Sequence, residues 1–463
     1  METQNPSPSL HFGASLFSGA GIGDLGFRAA GIAFLAMCEI ERDRSALAKL
    51  NFPEADHFAQ DVNRIGTEYC TAVQRKLGDL GAEELFLMTC TAPCQGMSKS
   101  GKGTLLNNIR QGKRPKLDPR NRLILPALDI IRDLRPHWVV FENVPEMRAT
   151  LIEDKENRLR YILDIIKKTL GPDYEGDAYD IEFADFGVPQ RRKRLITVYT
   201  RDPIAKERFK NGIELVPRRT HAATQNGLQR WISVQDALQG FPPLDGIDER
   251  HARCDAVPFH YVPVLDPKKY EWIRHTPSGA SAFDNQCLNP ACMYDQNTTH
   301  GNAHENGINR ARKDTPLYCE RCGELLPRPY TVEQDGRKRI MSGYTSAYKR
   351  MEAELPAPAL TRNLSYPCSD NKIHPFQNRV LSLAEAMHLQ TISRYEYRWG
   401  PLHLNPRKPS QLATDLLVRL VIGESVPPMF FELLGNHLKR MSAPCELPES
   451  VQATRKATQI ALL

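Results

Sequence analysis

At 463 residues, 41% of them apolar, the chain exceeds what one hydrophobic core usually organises, so two globular domains are expected. Its 61 Lys+Arg against 55 Asp+Glu leave a net charge of +6, which permits a polyanionic partner without demanding one. No N-terminal leader pattern and no run near the roughly 20 apolar residues of a membrane span are present, so a cytoplasmic protein away from any membrane is expected.

From residue 12 to about 200, short apolar runs at 14–17, 32–38, 85–88, 138–141 and 195–199 alternate with longer segments of helical period. This alternation predicts an α/β fold with a doubly wound, mostly parallel sheet. After the first run, Phe17-Ser18-Gly19-Ala20-Gly21-Ile22-Gly23-Asp24 opens a helix, and its glycines let backbone approach a ligand closely. A nucleotide-like ligand is implied. The third glycine of a dinucleotide fingerprint falls on Asp24, which argues against a dehydrogenase. Glu39, ending the second strand, is placed to bind ribose hydroxyls, and Asp61, ending the third, to accept from an adenine amino group. Taken singly, either acid is more often a helix cap or a solvated loop residue.

A helix is predicted over 157–170, with Leu159, Ile162, Leu163, Ile166 and Leu170 on one face and Gly171-Pro172 as its stop. Beyond about residue 216 the pattern dissolves into Pro, Gly, His and Asn-rich sequence as far as about 375, which predicts a second, smaller domain of irregular construction. Helical patterns return at 382–391 and 411–421, and the tail after Met441 is expected to be loosely held. The expected division is 1–215, 216–405, a returning segment 406–440, and a tail 441–463.

Pro93-Cys94-Gln95 ends one apolar strand and Phe141-Glu142-Asn143-Val144 ends another about one βαβ unit downstream, so a thiol and a carboxyl face one site. A cysteine that adds to C6 of a pyrimidine, with a glutamate that protonates N3, makes cytosine C5 nucleophilic enough to take a methyl group. The eleven cysteines are scattered as in a reducing compartment, and Cys94 is followed by a basic stretch that favours its thiolate. Most lone cysteines are buried structural thiols, and Cys90, inside the strand, is the expected example. Glu142 in an apolar pocket would keep a raised pKa and hold the proton, unless it is merely a cap or an ion-pair member. Gln190, Arg192 and Arg194 precede or enter the strand at 195–199 and are expected to share a face, one arginine holding cytosine O2 and another bracing Glu142. Residues 99–122 carry eight Lys/Arg and one acidic residue, Asp118, a composition suited to closing over a phosphate backbone.

These blocks, in this order, resemble the DNA (cytosine-5)-methyltransferase family from Phe17 to Pro428. The late Arg379-Val380-Leu381-Ser382-Leu383-Ala384-Glu385 and Gly423-Glu424-Ser425-Val426 also resemble family blocks, with Ser382 replacing Thr and Glu424 standing where the family has Asn. The resemblance implies the class I, Rossmann-like methyltransferase fold, S-adenosylmethionine as cofactor, and a cytosine flipped out of double-stranded DNA, since C6 is unreachable inside the stack. It implies catalytic roles for Cys94, Glu142, Arg192 and Arg194. Cofactor contacts are implied at Phe17, Gly19, Gly21, Gly23, Glu39, Ile40, Asp61, Val62, Pro93, Glu424 and Ser425, and DNA contacts at Gln95, Ser98, Lys99, Asn143 and Gln190. The stretch between the arginine block and the late block is implied to carry target recognition. A restriction–modification role, with a separate cognate endonuclease, or a solitary methyltransferase follows from the family, and a monomer suffices for one flipped base.

Within the variable stretch, Cys287-x4-Cys292 is followed after twenty-six residues by Cys319-x2-Cys322-Gly323, paired hooks that suit a structural zinc. His300 and His304 are alternative ligands, and four reduced thiols are the plain alternative. Two rival functions remain: a tRNA cytosine-5 methyltransferase of the same fold, disfavoured by the size of the variable region, and a non-catalytic DNA-binding regulator, disfavoured by the intact Cys94, Glu142 and Arg194.

Overall fold

The computed structural model describes residues 11–93, 118–299, 302–305, 308–311, 314–341, 346–369, 371–404 and 411–444. Its centre is a seven-stranded sheet. In chain order the elements are β1 (His11–Leu16), α1 (Ile22–Ala29), β2 (Ile32–Cys38), α2 (Arg42–Asn51), β3 (Asp56–Phe58), α3 (Val62–Asp79), β4 (Leu87–Cys90), α4 (Ile124–Leu134), β5 (Trp138–Asn143), α5 (Ile162–Leu170), β6 (Glu175–Glu182) and β7 (Lys193–Thr200). The strands lie in the order β3-β2-β1-β4-β5-β7-β6, the first five mutually parallel and β7 antiparallel to both its neighbours. Strands covered on both faces must be apolar on both, so β2 and β5 read as unbroken runs rather than alternating ones. The doubly wound, mostly parallel sheet expected from the sequence is present.

One apolar core fills each face. On one side α3, α4 and α5 pack with Ile65, Val73, Ile131 and Ile166 against the sheet. On the other, α1 and α2 meet the end of the chain, where a helix over Pro428–Ser442 lays Phe431 on Phe27 with ring centroids 5.1 Å apart. Trp138 Nε1 donates to Ser442 Oγ at 2.9 Å, and Met441 is buried, so the chain is held through Ser442. Most of the tail expected to be loosely held after Met441, residues 445–463, lies outside the described residues.

The helix expected over 157–170 starts only at Ile162. Leu159–Tyr161 instead pairs with Leu151–Glu153 as a two-stranded antiparallel ribbon. The reason is local: Asp154 Oδ1 accepts from the N–H groups of Glu156 and Arg158 at 2.9 Å each, and this Asx turn closes a tight hairpin whose second strand takes 159–161. The predicted 382–391 helix runs over Leu383–Leu389, started by a capping box between Ser382 and Glu385. The one predicted over 411–421 runs over Asp415–Glu424, because Thr414 accepts from Leu417 N and caps it there.

Between about 216 and 380 the described residues form short bridges, two short helices (Val234–Leu238 and Pro267–Arg274) and three two-stranded ribbons. A small core of Trp272, Ile273, Phe283, Tyr348 and Ile373 sits inside. Buried arginines do what periodic apolar faces do elsewhere. Arg350 donates to the carbonyls of Thr276, His374, Gln377 and Ile273 and to Asn378 Oδ1, at 2.5 to 3.0 Å, and burial pushes its pKa down to about 10. Short of the boundary expected at 405, Leu381, Leu383, Ala386, Leu389, Ile392, Trp399 and Leu402 return to pack in the larger core. Arg379 anchors that return, its NH1 and NH2 each 2.7 Å from a Glu385 oxygen with both side chains fully buried. Among the described residues no helix is long and apolar enough to cross a membrane.

Removing one partner of the Arg379–Glu385 pair strands a buried charge. Glu385→Ala is expected to destabilise the protein by roughly 3–5 kcal/mol, read from the urea unfolding midpoint; a loss under about 1 kcal/mol means the pair is not holding the return segment.

Candidate active site

Strand order reverses between β1 and β4, so the carboxyl ends of these strands leave a crevice where their loops part. Two hydrogen bonds stitch its walls. Thr91, just past β4, donates through Oγ1 to Phe17 O at 2.7 Å, and Asn143, ending β5, donates through Nδ2 to Ala92 O at 3.1 Å. Phe17 is held with φ 58, a left-handed conformation costing a residue with a Cβ about 1–2 kcal/mol. Pro93, half-buried, follows directly.

The glycine turn fits a ligand closely. Gly21, the N-cap of α1, has φ 76, and a Cβ there would meet Phe52 at 2.6 Å. Gly19 has φ 55, with nothing within 4 Å of where its Cβ would stand. Its N–H donates to Glu39 Oε2 at 3.0 Å, and Glu39 Oε1 accepts from Glu41 N at 2.8 Å. Burial pushes the Glu39 carboxyl up, while the Glu41 N–H, the Arg44 guanidinium and the Gly19 N–H pull it back. Next to it Ile40 is 58% exposed, a bare apolar side chain at a strand end. Asp61 caps α3, its Oδ1 taking Asn63 N at 3.0 Å, so the helix-cap reading holds for it whatever else it binds. Val62 is buried behind it, and Gly23 packs against Val426 rather than facing the crevice.

At the end of β5 the Glu142 carboxylate meets Arg194 of β7, with Nε to Oε1 at 2.8 Å and side chains 12% and 17% exposed. Of the two arginines expected near Glu142, it is Arg194 that pairs with the carboxylate. Gln190, Arg192 and Arg194 alternate with the exposed Arg191 and Lys193, but the three side chains meet different partners. The β7 strand begins at Lys193, and the ladder reaches back one residue, Phe183 N donating to Arg192 O at 3.2 Å. Arg192 is buried, and its NH1 and NH2 donate to the carbonyls of Leu360 at 2.9 Å and Gly423 at 3.2 Å, which makes it a strut between distant segments. Gln190, expected at DNA, is fully buried, donating to Gln390 Oε1 at 2.6 Å and accepting from Leu360 N at 3.0 Å. Gln390 in turn donates to Ser425 O and Oγ. Asn143, also expected at DNA, is buried in its bond to Ala92. Cys94, Gln95, Ser98 and Lys99 lie outside the described residues. Cys90 is the inert thiol expected, 1% exposed and pushed by burial up to about 12.

Residues 13–440 match the family model described as C-5 cytosine-specific DNA methylase. The chain belongs to that family. It is 30% identical to the type II methyltransferase M.XorII of Xanthomonas oryzae pv. oryzae, over 92% of this chain and 84% of that one. To the type II methyltransferase M1.HgaI of Avibacterium volantium it is 26% identical, over 92% of this chain and 97% of that one. Among solved structures, a prophage-encoded E. coli protein described as a candidate DNA modification methyltransferase superposes with a TM-score of 0.50 at 20% identity, covering 93% of this chain and 99% of that chain, a likeness of fold.

The protein is thus a DNA (cytosine-5)-methyltransferase on the class I methyltransferase fold, and family membership brings S-adenosylmethionine as cofactor. The residues present fit such a group. An open glycine backbone, an exposed apolar side chain and two carboxylates at successive strand ends suit a ligand with a ring, sugar hydroxyls and amino groups. Glu424, where the family has Asn, ends the Asp415–Glu424 helix and pairs with Arg44 of α2 at 2.9 Å, so the extra carboxylate is met by a cation from the cofactor side. Sequence reasoning passed over Asp24. It lies buried under the glycine turn, accepting from Ser15 Oγ of β1 at 2.9 Å and Thr89 Oγ1 of β4 at 3.2 Å, and so locks α1 to both strands of the crevice. The signal was its place in the glycine pattern.

Burial pushes Asp24 up to about 7 against the pull of both hydroxyls. The folded enzyme therefore binds more protons than the unfolded chain between 3.8 and about 7, and this group's stabilising contribution is complete below 3.8 and lost as pH rises through about 7. Asp24→Asn should flatten the melting temperature against pH across that window, whereas an unchanged slope would place the titration elsewhere. The two arginines should separate. Arg194→Ala is expected to lower kcat by roughly 100-fold with the fold intact. Arg192→Ala, leaving two carbonyls unmet, should cost about 2–4 kcal/mol of stability.

Proposed function

We propose that this enzyme methylates C5 of a cytosine flipped out of a specific duplex DNA sequence, with Cys94 as nucleophile. What carries the reading is the Glu142–Arg194 pair beside the Asn143–Ala92 bond, which brings a braced carboxyl next to the loop leading into Pro93-Cys94. In this reading the Cys94 thiolate bonds to C6 of the flipped base. Glu142, oriented by Arg194, holds a proton at N3, so the displaced electron pair makes C5 nucleophilic. S-adenosylmethionine supplies the methyl group. A base then takes H5, the electron pair re-forms the C5–C6 double bond, and the sulfur leaves C6 as thiolate. Phe17, Glu39, Ile40 and Asp61 hold the cofactor, and the stretch from 216 to about 380 reads the target. The flip costs a few kcal/mol of lost stacking and pairing, which contacts made only with the extruded base must offset.

The relatives' description as type II methyltransferases supports a place in restriction–modification: this enzyme would mark the sequence that a separate endonuclease cuts. A monomer acting in the cytoplasm is enough for that.

Duplex DNA carrying 5-fluorocytosine at the target, incubated with S-adenosylmethionine, should leave the polypeptide covalently attached, because fluorine cannot depart as H5 does. Cys94→Ser should lose the conjugate and at least about 1,000-fold of the transfer rate while still binding cofactor. Wild-type transfer rates equal to those of the Ser variant would sink the mechanism. Labelled methyl groups appearing on tRNA and not on DNA would overturn the substrate.

A further inference from the structure

The Cys287, Cys292, Cys319 and Cys322 sulfurs all lie within 4.8 Å of one another, with Cys287–Cys322 at 3.6 Å and Cys292–Cys319 at 3.9 Å. A tetrahedral ion with metal–sulfur bonds near 2.3 Å sets its sulfurs about 3.8 Å apart, whereas a disulfide needs about 2.05 Å. Backbone N–H groups converge on the same sulfurs: Asn289 on Cys287, Tyr294 on Cys292, and Arg321 with Cys322 on Cys319. Each donor comes from two or three residues further along the chain. This is how a turn wraps a thiolate, and it suits charge on sulfur rather than a neutral thiol. Among the described residues the apolar cluster at this corner is small: besides its cysteines it has Leu326, with Tyr294 partly buried against it.

Four thiolates around a divalent ion carry a net charge of minus two, and the fully buried Arg328 stands beside them. Its Nε donates to Asn285 O at 2.8 Å, and its NH1 to Thr298 O at 2.9 Å and Pro316 O at 2.8 Å. Thr298 and Pro316 bracket an antiparallel ribbon, Asn302–Glu305 paired with Ile308–Ala311, that lies between the two cysteine hooks. Glu320, inside the second hook, clasps Thr298 from the other side through its N–H at 2.8 Å and hydroxyl at 3.1 Å. Both ends of the ribbon therefore close on one node.

We propose that Cys287, Cys292, Cys319 and Cys322 hold one zinc ion, and that this ion fixes the root of the ribbon as a contact to duplex DNA. The DNA half rests on the function proposed above; the metal half does not. Soft thiolate donors in a tetrahedral set select zinc over calcium or magnesium, and binding to ligands scattered in the unfolded chain supplies folding free energy to a corner short of apolar contacts. A two-stranded ribbon is of a size that enters the major groove.

The test uses the full chain purified without chelator. Elemental analysis should find one zinc per chain, and cobalt substitution should give the visible absorption of a tetrahedral tetrathiolate site. Cys319→Ser and Cys322→Ser should each lose the metal. The metal-free protein and Cys322→Ser should bind S-adenosylmethionine with unchanged Kd by calorimetry, yet retain sheared duplex DNA at least 10-fold more weakly in filter binding. No stoichiometric zinc, even after refolding with zinc present, overturns the site. Zinc lost with DNA affinity unchanged, or with cofactor affinity lost as well, overturns the link to the ribbon. If the intact protein neither binds nor methylates duplex DNA, the proposed function fails while the metal count stands on its own.

Discussion

Two hydrogen bonds across the carboxyl ends of neighbouring strands, Thr91 to Phe17 and Asn143 to Ala92, hold together the loops of the active site proposed for this methyltransferase. Loops leaving β1, β4 and β5 would otherwise move independently, because loops have few buried contacts to hold them. The stitches draw the glycine turn, the Pro93 loop and the Glu142 carboxyl to one rim. Asp24 adds a third tie beneath them by joining β1, β4 and α1 at a single buried carboxyl. A positioning error of an ångström at such a rim costs orders of magnitude in rate, so polar bonds with set lengths and angles are better suited to it than apolar packing alone.

Around that rim the end of the chain acts as a closing band. Arg192 and Gln190 fasten Leu360, Gly423 and, through Gln390, Ser425 to the edge of the sheet. Arg44 meets Glu424 across the same gap. The band crosses over 160 residues of intervening chain, a closure whose entropy grows only slowly with length and is offset here by fully buried donors with nowhere else to bond. The second region uses the same device. Arg350, Arg379 and Arg328 each gather several carbonyls or a carboxylate, so a stretch with no periodic apolar face still has a defined interior. Removing Arg350 or Arg328 leaves several buried oxygens unmet and removing Arg379 leaves a buried carboxylate unpaired, which makes these hubs specific as well as stabilising.

The α/β alternation, the glycine turn, Glu39 and Asp61 at strand ends, and the cysteine hooks were legible in the amino-acid sequence because each depends on near neighbours: strand period, cap, turn, spacing. The sequence also carried the family, through the order of its blocks. Tertiary structure alone decided which arginine meets Glu142. Arg192 and Arg194 are two residues apart and chemically identical, and they differ in their partners: one guanidinium reaches carbonyls over 160 residues away, the other the Glu142 carboxylate on the neighbouring strand. The same holds for Gln190, for the partner of Glu424, and for the burial of Asp24. The helix that starts five residues late at Ile162 failed to be read for the opposite reason: a single Asx turn at Asp154 outcompeted a good apolar stripe. Periodicity records which face of an element is wet or dry; the identity of a distant hydrogen-bond partner leaves no period, and it is set only when the chain folds back on itself.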